Sequence, residues 1–266
     1  MMFKHIIIGQ YLPGQSFLHR MDARAKLAAV FLLIIVLFLV HTWKGYGLAV
    51  IGACGLFFLA GVPFRYIRKG MYPILIFVVF SFLLHAFFTQ EGDILVSVGV
   101  LTIYTGGLEK GVFISLRLLL LVFVTSLLTL TTSPVDLTDA LERILTPLKR
   151  LGVPAHEIAL MMSIAIRFIP TLLQETEKII KAQTARGADF GKGSLTARAQ
   201  AFVSLLVPLF VRAFKRAEDL AIAMEARGYD GGRGRTKFRQ LTWQAKDSAA
   251  CIVIVIFGIA MVIFQG

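Results

Sequence analysis

Cysteine is nearly absent: the 266 residues hold only Cys54 and Cys251. That excludes a disulfide scaffold, and since neither has a ligand-spaced partner, both read as small apolar side chains. Charge is scarce at 17%, and acidic charge scarcer still, with 16 Asp plus Glu against 28 Lys plus Arg for a net +12. With 57% hydrophobic residues, the chain is too apolar for disorder and a poor fit to a soluble globular protein. Catalytic constellations are missing too. His5, His19, His41, His85 and His156 are scattered, without H-E-x-x-H or a Cys/His cluster, so neither a metal site nor a catalytic centre is expected. His156 next to Glu157 reads as a polar first turn, because adjacent helical residues point apart. The stretch GADFGKGS at 187–194 is one residue short of a phosphate loop, and Lys192 is followed by Gly193 instead of a hydroxyl residue. No ATP site and no other cofactor is expected.

What is abundant is long uncharged apolar sequence. A bilayer core of about 30 Å needs about 20 helical residues, and five stretches supply them: 27–43, 45–64, 71–90, 111–132 and 248–266. The first starts too late, and runs too directly into the second, to be a cleaved leader. Arg117 interrupts the fourth; a functional role, snorkelling and pairing with Glu109 all fit it. Two further stretches, 158–173 and 199–211, differ in kind, since Arg167 sits at the centre of one and the other is short with basic flanks. Both read as interfacial or packed against protein. Arg20, Arg24 and Lys26 precede the first span, and Arg65, Arg68 and Lys69 separate the second from the third. By the positive-inside rule the N-terminus lies inside and, after five spans, the C-terminus outside. The basic excess follows membrane boundaries and lacks interleaved stacking aromatics, which argues for anionic lipid of the lipid bilayer or an acidic protein partner and against nucleic acid.

The segment between the last two spans holds most of the positive charge. Pro134 opens a helix running to about Leu151 and stopped by Gly152, with Leu137, Leu141, Ile144, Leu145 and Leu148 on one stripe. A longer helix, about 50 Å, begins near Pro154 and continues to Ala185. Ile158, Met161, Met162, Ala165, Ile169, Leu172 and Leu173 make its first half greasy, and Glu175, Glu177, Lys178 and Lys181 make its second half wet. A third, from Leu195 to Arg227, repeats that design. The likeness is literal: EKIIKAQTARGADFGKG at 177–193 and EDLAIAMEARGYDGGRG at 218–234 lie 41 residues apart. Pro170 and Pro208 sit inside the two helices as candidate hinges.

Arg186 and Arg227 fall just before glycines suited to a left-handed helix cap, where the helix dipole favours a cation by about 0.3–1 kcal/mol. Lysine would serve that purpose equally well, and it does not ask for A-R-G twice. A small Ala185 or Ala226 before and Gly187 or Gly228 after let another backbone approach, while guanidinium can grip a carboxylate with two parallel bonds. The six residues therefore read as two copies of one docking device. The expected architecture is an all-α membrane protein: an N-terminal cytoplasmic or interfacial segment 1–26, four spans within 27–132, a cytoplasmic domain 133–245 of long amphipathic helices, and a last span in 246–266.

Together with Gly9-Gln10-Tyr11, the run HRMDARAK at 19–26, TTSP at 131–134, PLKRLGVP at 147–154 and MMSIAIRFIP at 161–170, these motifs resemble the transmembrane T component of energy-coupling factor transporters, the EcfT/CbiQ family. Ala23 stands where that pattern has proline. The resemblance implies a non-catalytic subunit in a prokaryotic cell membrane, bound to two ABC-type ATPase subunits and to a separate substrate-binding membrane protein, the S component, for vitamin or transition-metal uptake. It also implies that Arg186 and Arg227 each dock into a groove of one ATPase. A permease subunit of a conventional ABC transporter is the nearest alternative, but it would carry a single coupling loop; an autonomous secondary transporter would need more ionisable residues at mid-membrane.

Overall fold

The computed structural model describes residues 11–98, 101–146, 154–188, 190, 194–230 and 242–264. The chain divides into two compact units, one formed by residues 9–140 and 241–266 and the other by residues 1–8 and 141–240.

The first unit begins with α1 (Phe17–Arg20), α2 (Ala23–Leu39), α3 (Trp43–Ala60) and α4 (Phe64–Phe88). A hairpin of β1 (Ile94–Val98) and β2 (Leu101–Tyr104) leads into α5 (Thr105–Thr131), then α6 (Pro134–Leu145), which belongs to this unit as far as Ala140. Caps explain the boundaries better than the apolar runs do. Asp22 accepts from the Arg24 backbone N–H at 2.8 Å, so α2 starts before the uncharged stretch begins. Thr42 accepts from the Gly45 N–H at 3.3 Å, which opens α3 early and places Lys44 in its first turn instead of between two spans. Ser133 accepts from the Asp136 N–H at 3.1 Å and donates to its carboxylate at 2.7 Å; Pro134 occupies the first helical position. The expected end of this helix near Leu151 and its stripe residue Leu148 lie outside the described residues.

The helix returning to this unit is α9 (Ala245–Ile263). It packs on α2, and with α3 and α5 they enclose Leu33, Val36, Leu37, Tyr46, Val124 and Met261; Ile67, Leu127 and Leu130 form a second core. Helices α4 and α5 approach so closely at one end that a Cβ on Gly107 would lie 2.8 Å from the Thr89 carbonyl oxygen. Outside, the surface is greasy: Phe31, Phe58, Phe77 and Phe88 are exposed, the last at 80%. Apolar surface on this scale is that of a protein solvated by lipid.

Among the described residues five helices are long and apolar enough to cross a membrane: α3, α4, α5, α9 and α7 (Ala155–Ala185), the last over Glu157–Ala185. The fold is therefore all-α and membrane-type. The five are not the five apolar runs. With 17 residues, α2 measures only about 26 Å, because the turn at Val40–Thr42 ends it; α7 enters because its greasy half and wet half form one uninterrupted helix.

Neither the hairpin nor the partners of Arg117 follow from the apolar runs. The strands pair antiparallel, Val96 with Ile103 and Val98 with Leu101, and the β-branched Val96, Val98 and Ile103 suit a pleated surface. Arg117 does not take Glu109, which instead accepts from Trp43 Nε1 at 2.9 Å. Its Nε donates to Tyr46 Oη at 3.0 Å, its Nη2 to the Val40 carbonyl at 3.0 Å, and its guanidinium lies over the Phe38 ring. The charge thus caps the C-terminal end of α2.

The second unit is described over α7 (Ala155–Ala185) and α8 (Leu195–Ala226). Gln183 donates to the Ser204 carbonyl at 3.2 Å, Arg212 pairs with Glu175, and Arg216 lies over the Phe168 ring. Residue numbers rise in one helix as they fall in the other, so the two run antiparallel. Ile179, Ala201 and Leu205 are buried between them.

Candidate functional site

The ends of α7 and α8 are built alike, atom for atom along the backbone. After α7, the Gly187 N–H donates to Thr184 O at 3.0 Å and the Ala188 N–H to Gln183 O at 3.0 Å. After α8, the Gly228 N–H donates to Glu225 O at 2.8 Å and the Tyr229 N–H to Met224 O at 3.0 Å. Both are Schellman motifs. The glycines have φ of 89° and 72°, a region that costs an L-residue roughly 1–2 kcal/mol, and a Cβ on either would meet open space. Their requirement is therefore conformational, not steric. It places Arg186 and Arg227 at the C-cap positions, with Ala185 and Ala226 in the last turns, and all six residues are exposed.

Antiparallel packing separates these two identical ends. Measured from the Glu175–Arg212 pair, Arg186 lies about 16 Å along α7 and Arg227 about 22 Å along α8, on opposite sides of the crossing. Both helices run on through their prolines. Pro170 precedes Glu175, and Pro208 precedes Arg212, by about one turn, so both candidate hinges adjoin the crossing. Along α8, Phe202, Leu206, Phe210 and Phe214, with Val203, Val207 and Val211, leave one apolar stripe exposed. Of the remaining repeat, residues 189, 191–193 and 231–234 lie outside the described residues, as do Gly9, Gln10 and 147–153.

Sequence reading treats Arg24 and Lys26 as boundary charges and Asp22 as part of the HRMDARAK motif, and misses the junction the three build. Asp22 holds Arg24 through two side-chain bonds, 3.0 and 2.8 Å, while its own N–H donates to Asp247 Oδ1 at 2.9 Å. Asp247 Oδ2 accepts from the Gln244 N–H at 2.8 Å, capping α9. Lys26 Nζ donates to Thr131 O at 2.9 Å and Thr132 Oγ1 at 3.2 Å. The starts of α2 and α9 and the end of α5 are thus tied by groups that are 94% or more buried at Lys26 and Asp247 (6% and 3% exposed). Burial pushes the Asp22 carboxyl up, but the hydrogen bonds and charge of Arg24, with the charge of Lys26, outweigh it and hold the group below the usual carboxylate range. A signal existed: D-x-R-x-K at a helix start is a cap plus two cations about half a turn apart, although nothing in it names Thr131 or Asp247. Among the described residues no cluster of His, Cys, Asp and Glu could hold a metal.

The CbiQ family, cobalt transport protein, matches residues 14–238. The energy-coupling factor transporter transmembrane protein EcfT of Bacillus subtilis (strain 168) is 51% identical over 255 residues, 96% of each chain. That of Listeria innocua is 50% identical over 255 residues, again 96% of each, and that of Brevibacillus brevis 50% over 260 residues, 98% of each. A match over nearly the whole chain shows that this protein belongs to the EcfT/CbiQ family, the energy-coupling transmembrane components of energy-coupling factor transporters.

Proposed function

We propose that the chain transmits the ATP-driven motion of two ABC-type ATPase subunits, through α7 and α8, to a separate substrate-binding membrane protein that takes up a vitamin or transition metal. Hydrolysis belongs to the ATPases. Ala185-Arg186-Gly187 enters a groove of one ATPase and Ala226-Arg227-Gly228 a groove of the other, each arginine holding a carboxylate by a bidentate pair. Pro170 and Pro208 act as hinges near the crossing, so that a change in ATPase separation alters the angle between the helices. The exposed stripe of α8 and the first spans receive the substrate-binding protein. Residues 133–245 then form the cytoplasmic coupling domain, with the N-terminus inside and the C-terminus outside a prokaryotic cell membrane.

One observation carries this reading: the same exposed C-cap arginine, held by the same two-bond cap, stands at both ends of an antiparallel pair. A helix dipole alone accounts for a cation at each site but not for the small-residue frame around it. The test is co-purification of the ATPases with Arg186→Glu, Arg227→Glu and the double variant. Each single change is expected to cost about 2–5 kcal/mol of docking energy by leaving a buried partner carboxylate opposed, and the double variant to purify alone. Wild-type ATPase recovery with the double variant would remove the proposal.

A further inference from the structure

An apolar groove of about 390 Å³ opens in the first unit between α1, α2, α3, α5 and α9, lined by Val30, Leu33, Leu56, Leu127 and Val253 among others. Its volume falls in the range of about 300–1,000 Å³ usual for small-molecule sites. What distinguishes it from ordinary lipid-facing surface is its end. Lys26 and Lys246 line it, and Phe17, Met21 and Lys246 are shared with an adjoining polar cavity bounded by Arg20, Gln15 and Asp247. Arg20 and Lys246 are exposed cations there, Arg20 touching only the neutral Gln15 Oε1 at 3.4 Å among the described hydrogen bonds. Asp247 keeps its negative charge while accepting two backbone N–H groups, but it is the one carboxylate lining the two cavities, against Arg20, Lys26 and Lys246. Lys26, 94% buried by its 6% exposure, gives two of its three ammonium N–H groups to neutral acceptors, Thr131 O and Thr132 Oγ1.

An apolar groove whose polar end carries three cations against one carboxylate is the complement of one chemical class. We propose that this groove binds an anionic phospholipid, an acyl chain lying along Leu33, Leu127 and Val253 and the phosphate held by Arg20 and Lys246. A zwitterionic lipid fits the groove but brings its own cation to a basic mouth, and an apolar helix of a partner brings no anion to it. Lipid here would brace α2 against α9 at the polar junction where both helices start.

The experiment uses the full chain in neutral detergent, titrated with dioleoyl-phosphatidylglycerol or dioleoyl-phosphatidylcholine and read by native mass spectrometry and thermal unfolding. Phosphatidylglycerol is expected to stay bound and to raise the unfolding temperature more than phosphatidylcholine does. Arg20→Gln with Lys246→Gln, at exposed positions that leave the core intact, should weaken phosphatidylglycerol binding roughly 25-fold, about 5-fold for each cation near a phosphate, without changing phosphatidylcholine. Ala250→Trp should block both lipids. Equal stabilisation by the two lipids, or an unchanged preference in the Arg20/Lys246 variant, would overturn the proposal, as would a protein segment found in place of lipid. The Arg186→Glu, Arg227→Glu chain should keep the preference, so failure here is separable from failure of the docking reading.

Discussion

Arg186 and Arg227 each precede a glycine whose positive φ closes the helix, and that sequence of roles makes two residue-level expectations separable. Lysine at both positions keeps the charge that a helix C-terminus favours but loses the rigid fork of the guanidinium. We therefore expect Arg186→Lys with Arg227→Lys to unfold as the parent does while recovering at least about tenfold less ATPase, a difference of about 1.4 kcal/mol in binding; equal recovery would leave only the dipole role. Gly228→Ala should cost about 1–2 kcal/mol at the cap, seen as faster hydrogen exchange of the Gly228 and Tyr229 amides. Asp247 works differently. Alanine there strands the N–H groups of Asp22 and Gln244, and unfolding in detergent should show a loss of about 1–3 kcal/mol. The depressed Asp22 carboxyl adds a pH signature. Its contribution is complete above the ordinary aspartate value of about 3.9 and disappears as pH falls through its lower folded value, so Asp22→Asn should flatten the acid side of the stability profile.

At the scale of elements, α7 and α8 are legible because proline and glycine mark their ends: the expected 154–185 and 195–227 helices appear as Ala155–Ala185 and Leu195–Ala226. The membrane helices are legible as apolar runs but not in their limits, since caps such as Asp22 and Thr42, not charges, decide where a helix opens. The junction and the Arg117 cap escape sequence reading for a different reason. Asp22 meets Asp247 across 225 residues and Lys26 meets Thr131 across 105, and no periodicity carries such pairings. Pro170 and Pro208 supply the element-level prediction. Replacing either by alanine restores a backbone donor inside a helix, so we expect a higher unfolding temperature, unchanged ATPase recovery and slower uptake in reconstituted vesicles. Uptake at the parental rate in both variants would remove the hinge role.

For the molecule as a whole, topology is the property to measure. A reporter placed within the segment joining α8 to α9 should respond as cytoplasmic, and one after the last residue as external; reversal of either would break the five-span order. The greasy exterior and the +12 charge then belong to different surroundings of one chain. Antiparallel pairing of α7 and α8 has one more outcome. Two like rods laid head to tail exchange places under a half-turn about their crossing, so the α7–α8 pair carries an approximate dyad within a single copy. If two similar ATPases dock there as proposed, their own dyad lets them seat in either of two orientations, and the choice between these comes from residues beyond the matching triplets.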